Sequence, residues 1–211
     1  MKKLFLASYL AGVKTLVGTW LEEKRPEEIL FVPTAANVEE YTDYVEEAAD
    51  TFAALGYRVK RMDFSKFARE ECERELQMCD SLYVSGGNTF YLLQELRRKN
   101  LLGALHERIE EGMLYIGESA GAMITARDIA YGQIMDDKKA APDLKDMSGL
   151  SVVDFYILPH RGEEPFVEAV EETLRVYDGK LEFLTMDNSE AVIVDGAEHR
   201  VERSVGAIGS A

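Results

Sequence analysis

Two hydrophobic periods alternate along this chain. Residues 3–8, "EEILFVPTA", "YRVKRMDF", "DSLYV", residues 113–116 and "VVDFYILPH" are short apolar runs of strand length. Between them, apolar residues recur every three or four positions. In "NVEEYTDYVEEAADTFAALG" those positions are Val38, Tyr41, Val45, Ala48, Phe52 and Leu55. That spacing predicts an amphipathic helix, with Asn37 to cap its start and Gly56 to close its end. Residues 10–24, "KFAREECERELQMC", the segment after Gly86-Gly87, "LLGALHERIEEG" and "EPFVEAVEETLRVYDG" also read as helices, the last with Pro165 in its first turn. Residues 131–148 are polar and turn-rich and predict a long loop, a feature that in compact domains is often functional. The tail "SEAVIVDGAEHRVERSVGAI" carries a hairpin signal at Asp195-Gly196.

Repeated strand–helix order predicts an α/β fold. It would be a three-layer sandwich with a mainly parallel central sheet, helices on both faces and a C-terminal antiparallel hairpin. With no linker, repeat or low-complexity segment in 211 residues, a single domain over residues 1–211 is expected.

Charge narrows the partners. The 39 acidic residues outnumber 24 basic ones, for a net charge of −15. Phosphate binding is driven by Lys and Arg, so nucleic acid and anionic membrane are not expected as partners. The start "MKKLFLASYLAGVKTLVGTW" imitates a signal peptide, but Lys14 and the continuation to Glu22-Glu23 argue against one. No run reaches the roughly 18 uncharged residues of a membrane span. Cys72 and Cys79 lie on one predicted helix, about 10.5 Å apart along its axis, too far for a disulfide. Free thiols suit a reducing compartment, and a cytoplasmic location is expected. Two cysteines without a nearby histidine do not make a zinc site, and neither metal nor cofactor is expected.

In parallel sheets, functional loops lie at the carboxyl ends of strands. Three such ends carry chemistry here. At the first, Gly117-Glu118-Ser119-Ala120-Gly121 matches the G-x-S-x-G elbow, which displays a serine on a sharp strand-to-helix turn. The competing reading is a tight turn with a capping serine. At the second, Gly86-Gly87 precede a helix start, without the Lys-Ser/Thr of a P-loop. They suit a phosphate cradle, an oxyanion-hole amide, or merely an eased turn. At the third, His160 follows Pro159. Of the three histidines, His106 sits within a helix and His199 beside the tail hairpin, so elimination leaves His160 as the base for Ser119. An orienting carboxylate would come from Asp136, Asp137 or Glu164, with Asp137 slightly favoured. The order serine, acid, histidine also suits an α/β-hydrolase, but only 41 residues separate Ser119 from His160 (160 minus 119), and no His-Gly oxyanion motif precedes the serine.

Taken together, Gly86-Gly87-Asn88-Thr89-Phe90 with "YLLQ", the elbow running on to Ala122, and Pro159-His160 resemble the peptidase E family of serine peptidases. That family includes dipeptidase E (aspartyl dipeptidase) and, more remotely, cyanophycinase. The stretch "MDDKKAAPDLKDMSGLSVVDFYILPH" looks more like an uncharacterised bacterial branch than like the dipeptidase itself. The resemblance runs over nearly the whole chain. It implies a class I glutamine amidotransferase-like fold, a Ser-His-acid triad, no metal and a small peptide substrate. Carried over, Ser119 is the nucleophile and His160 the base, while Gly87 and Ala120, with Gly86 beside them, supply oxyanion amides. Arg127, Lys138 and Arg161 are the cations that could meet a substrate carboxylate, and Arg161 is preferred because it adjoins His160. A homodimer is left open. A binding or regulatory module without catalysis is the alternative, since a fold does not fix a function. Under that reading Glu118, next to the serine, would point into the site and repel anions.

Overall fold

The structure is a computed structural model that describes residues 1–204. Five parallel strands form the sheet's main part: β1 (Lys3–Ala7), β2 (Glu28–Val32), β3 (Arg58–Arg61), β4 (Ser81–Val84) and β5 (Leu114–Glu118). Two antiparallel strands, β8 (Glu190–Asp195) and β9 (Glu198–Arg203), extend it past β1. The order across the sheet is β3-β2-β4-β5-β1-β8-β9. Two short strands, β6 (Tyr156–Leu158) and β7 (Phe183–Thr185), make a separate parallel pair. The helices are α1 (Lys14–Lys24), α2 (Asp43–Ala54), α3 (Arg69–Met78), α4 (Thr89–Arg98), α5 (Leu102–Glu111), α6 (Ala120–Met123) and α7 (Val167–Val176).

The layers follow from strand alternation, because successive side chains point to opposite faces. Leu4 and Leu6 of β1, Leu30 and Val32 of β2, Leu82 and Val84 of β4 and Tyr115 of β5 join one core. There they meet Cys72 and Leu76 of α3, Phe90, Leu92, Leu93 and Leu96 of α4, and Leu105 and Ile109 of α5. Phe5, Ile29, Phe31, Tyr83 and Ile116 face the other way, against Val17, Trp20 and Leu21 of α1 and Val45, Ala48 and Phe52 of α2. Both faces are covered, so the central strands read as nearly unbroken apolar runs. The expected three-layer sandwich with a mainly parallel sheet is present. Among the described residues, no helix is long and apolar enough to cross a membrane. Cys72 and Cys79 are both free thiols.

Two local readings need correction. The helix expected from Asn37 begins at Asp43. Residues 34–38 form a 3₁₀ turn instead, and the Asn37 amide donates to the Asp63 and Ser65 side chains. Gly56 does close α2, with φ of 87°. "VVDFYILPH" is not one strand of the main sheet. Only Tyr156–Leu158 is extended in a ladder, and its partner is β7, while Val152, Val153 and Phe155 plug the core. The long loop expected over residues 131–148 is present and is tied down. It makes 3₁₀ turns at Ala130–Ile134 and Lys138–Ala140, and the Asp143 amide donates to Gln94 of α4. The tail hairpin turns at Asp195-Gly196, as the sequence predicts; its expected continuation to residue 208 lies partly outside the described residues.

Candidate active site

The elbow is built by backbone approach. A Cβ on Gly117 would stand 2.4 Å from the Gly121 carbonyl oxygen, and one on Gly121 would stand 2.2 Å from the Val84 oxygen. Only glycine fits either position. The turn forces Ser119 to φ 46°, ψ −105°, a strained conformation for a residue with a side chain. Its amide donates to the Ala7 carbonyl at 2.9 Å, which ties the elbow to the end of β1.

His160 meets it from β6. The Ser119 Oγ and His160 Nε2 atoms are 2.9 Å apart. His160 also has positive φ, 63°, so the chain breaks out of its strand just where the imidazole turns inward. Phe166 stacks on the ring, centroids 4.5 Å apart and planes 20° from parallel. On the far side of the ring, Nδ1 lies 2.9 Å from Asn188 Oδ1 and 3.2 Å from Ser8 Oγ. An amide oxygen only accepts, so Nδ1 carries the proton and Nε2 is left to accept from Ser119. Burial holds the imidazole below its usual pKa, while the Asn188 bond and the Glu163 charge pull it upward. The net effect favours neutral imidazole, the form a general base needs.

The expected carboxylate is not what meets Nδ1. Asp136 accepts from the Thr89 amide at the start of α4, at 2.8 Å. Asp137 is exposed and accepts from the Lys139 amide. Glu164 is exposed on the cleft rim. The position opposite His160 belongs to Asn188, which sequence reasoning missed because it reads as part of a turn, Asp187-Asn188-Ser189. The β6–β7 pair explains its arrival: Leu158 and Thr185 are register partners, so the segments just beyond them run side by side. Desolvation raises Asp136 to about 6, against the lowering pull of its Thr89 bonds.

Gly87 and Ala120 flank the serine. Gly87 has φ of 127°, and a Cβ there would stand 2.3 Å from the Ala35 carbonyl carbon and oxygen. Among the described residues its amide has no hydrogen-bond acceptor, and the Ala120 amide, at the first position of α6, has none within that helix. Gly86 is buried, with its Cα facing Tyr44 and the Ser119 Cβ.

Glu118 lines the floor of the cleft beside the serine, as expected, but its carboxylate is held by the protein's own donors. In β5 it points to the same face as Leu114 and Ile116, is 2% exposed, and accepts from the Leu10 amide at 2.8 Å and from the Tyr83 hydroxyl. Burial raises its pKa to about 7, while the Tyr83 and backbone hydrogen bonds lower it. Arg161 is exposed, bonds Thr185 Oγ1 and stays off the cleft wall, as do Arg127 and Lys138.

A cleft of about 910 Å³ opens above Ser119, walled by Tyr9, Tyr41, Tyr44, Met135, Ala140 and Phe166. Its charged lining is mostly acidic: Glu39, Glu47, Glu118, Asp136, Asp137 and Glu164, against Lys139 alone besides His160. None of these carboxylates is ion-paired with a lysine or arginine among the described residues.

A serine raised on an elbow, with a histidine on its Oγ and two amides beside it, at the edge of a mainly parallel sheet, has the form of a serine hydrolase site. The sequence comparisons narrow that class. The model of peptidase family S51 matches residues 7–202, and the chain belongs to that family. An uncharacterized peptidase of Pasteurella multocida is 42% identical over 195 residues, covering 92% of this chain and 94% of that one. Peptidase E of Salmonella typhimurium is 30% identical over 164 residues, covering 72% of this chain and 67% of that one. A crystal structure assigned to peptidase E in Listeria monocytogenes superposes with a TM-score of 0.89 at 38% identity, covering 97% of this chain and all of that one. A peptidase from an acI-B1 actinobacterium shares the fold, with a TM-score of 0.69 at 18% identity. The chain is thus a serine-type peptidase of the peptidase E family.

Proposed function

We propose that this peptidase hydrolyses short peptides through an acyl-enzyme on Ser119, with His160 as base and Asn188 as its orienting partner. The observation that carries the reading is the 2.9 Å Ser119 Oγ–His160 Nε2 contact on a strained elbow. Nε2 takes the Ser119 proton as Oγ bonds to the scissile carbonyl carbon. The oxyanion is held by the Gly87 and Ala120 amides. When the carbon–nitrogen bond breaks, Nε2 returns the proton to the leaving amine. Water then gives a proton to Nε2 as its oxygen attacks the ester carbon; when the carbon–Oγ bond breaks, Nε2 returns that proton to Ser119 Oγ and the acid product leaves. Asn188 keeps Nδ1 protonated throughout, the role a buried aspartate has in the familiar triad. Free Cys72 and Cys79 suit a cytoplasmic setting.

The cleft's charge supports a substrate preference different from the one read from Arg161. Its acidic lining favours peptides with an ammonium group near the scissile bond, either the free amino terminus or a basic side chain, over acidic ones. The test is a dipeptide panel at two salt concentrations, with wild type and Ser119→Ala, alongside labelling by a fluorophosphonate probe. Turnover should vanish in Ser119→Ala, the label should sit on Ser119, and the advantage of basic over acidic dipeptides should shrink as salt rises. Equal turnover by Ser119→Ala would end the catalytic reading. Preferential cleavage of acidic dipeptides would end the charge reading alone.

A further inference from the structure

The end of β1 touches both partners of the reacting pair. Ala7 accepts the Ser119 amide at 2.9 Å through its carbonyl. The next residue, Ser8, is fully buried, and its Oγ accepts the His160 amide at 2.8 Å. The same oxygen lies 2.8 Å from Asn188 Oδ1 and 3.2 Å from His160 Nδ1. A hydroxyl has one proton to give. The His160 amide is a donor and Asn188 Oδ1 is an acceptor, so the Ser8 proton goes to Asn188. Asn188 Oδ1 then receives two donors, Ser8 Oγ–H and His160 Nδ1–H. If the Asn188 amide turned over, its NH₂ would face both of those donors, so Ser8 fixes which end of that amide His160 sees.

We propose that Ser8 is a positioning residue of this site, holding the positive-φ backbone of His160 and the Asn188 amide so that Nδ1 stays protonated and Nε2 faces Ser119. The inference rests on the serine-peptidase reading above. It explains why a polar side chain is kept at 0% exposure at the end of a strand whose preceding four residues are apolar and fully buried. Around the imidazole stand Ser119, Asn188, Ser8 and the Phe166 ring, and Glu163 is the carboxylate whose charge acts on it. Releasing Asn188 removes the partner that favours the imidazolium, so the Ser8→Ala change should move the acid limb of the rate profile to lower pH.

The experiment measures the rate of fluorophosphonate labelling of Ser119 against pH in wild type, Ser8→Ala and Ser8→Thr, with thermal melts to confirm folding. The probe binds without a specific peptide, so it reads nucleophile activation directly. Ser8→Ala should label more slowly by about 10- to 100-fold, the size seen when outer partners of metal-bound histidines are lost. Its acid limb should shift down, and Ser8→Thr, which keeps the hydroxyl, should recover most of the rate. Folded Ser8→Ala with wild-type rate and limb overturns the proposal. So does folded Ser8→Thr that labels as slowly as Ser8→Ala. If Ser8→Ala does not fold, ¹⁵N chemical shifts of the wild-type imidazole decide instead: protonated Nδ1 with bare Nε2 supports the assignment, and the opposite tautomer overturns it. No labelling of Ser119 in folded wild type overturns the underlying catalytic reading, a result distinct from a failure of Ser8 alone.

Discussion

Glu118 should make the protein less stable as pH rises through neutrality, and Glu118→Gln should abolish that loss. The carboxyl is 2% exposed, and its folded pKa is about 7 against an ordinary value of 4.5. Desolvation is the main cause, because the charged form gives up water in exchange for the Leu10 amide and the Tyr83 hydroxyl. A pKa raised on folding means that the native state holds a proton the unfolded chain has released. Between the two pKa values, stability therefore falls by about 1.4 kcal/mol per pH unit. The contribution is fully present below the unfolded value and is lost as pH climbs through the folded one. Over the interval of about 2.5 units the loss amounts to about 3 kcal/mol. Glutamine keeps an acceptor for the Leu10 amide and has no proton to lose. Urea unfolding of both proteins at pH 5 and pH 8 gives a double difference in which groups common to both, such as Asp136, cancel. The stability of Glu118→Gln relative to wild type should improve by about 2.5 kcal/mol from pH 5 to pH 8, since part of the loss lies below pH 5. An unchanged difference would show that Glu118 titrates normally and that its burial has been misjudged.

Asn188→Ala should cut kcat with little change in KM, and Asn188→Asp should move the acid limb of kcat/KM to higher pH, because a carboxylate beside Nδ1 favours the imidazolium; a pH–rate series checks both. Asp136→Asn keeps an acceptor for the Thr89 amide and should retain kcat within about tenfold, far from the roughly 10⁴-fold loss expected of a triad acid. Gly121→Ala would drive a methyl group to 2.2 Å from the Val84 carbonyl oxygen, so it should destabilise by about 3 kcal/mol or more, read as a lower urea midpoint or loss of soluble protein.

How much of this was legible depended on whether the physics was local. The elbow was readable because close backbone approach writes itself as glycine: Gly117 faces Gly121, and Gly121 faces Val84, so the spacing records the turn. The layers were readable because strands covered on both faces lose their polar alternation. His160 was reachable by elimination, although the strand expected to carry it to the sheet edge belongs to a separate two-stranded pair. Glu118 could have been placed by counting. It lies two residues beyond Ile116 on the same strand face, so alternation sends it to the side of the sheet that holds Tyr83, where it also reaches the cleft floor.

Asn188 was not legible, and the reason is topological; Ser8 does stand at the carboxyl end of a parallel strand, β1, but a lone serine there carries no motif. Parallel sheets keep their functional loops at the carboxyl ends of their strands. β8 runs the other way: Ala7 pairs with Ala191, so it is the amino end of β8 that arrives at that edge, bringing Asn188 with it. Nothing local in "MDNSE" distinguishes this from an ordinary turn, and the reversal is a property of a pairing made across more than 180 residues of sequence. β1 lies between β5 and β8, so Ser8 stands between the nucleophile's strand and the strand that follows Asn188. One buried hydroxyl at that point can reach both sides of the imidazole's support. A strand-end serine becomes informative only once the neighbours of its strand are known, and the three contacts it makes are the physical content of that knowledge.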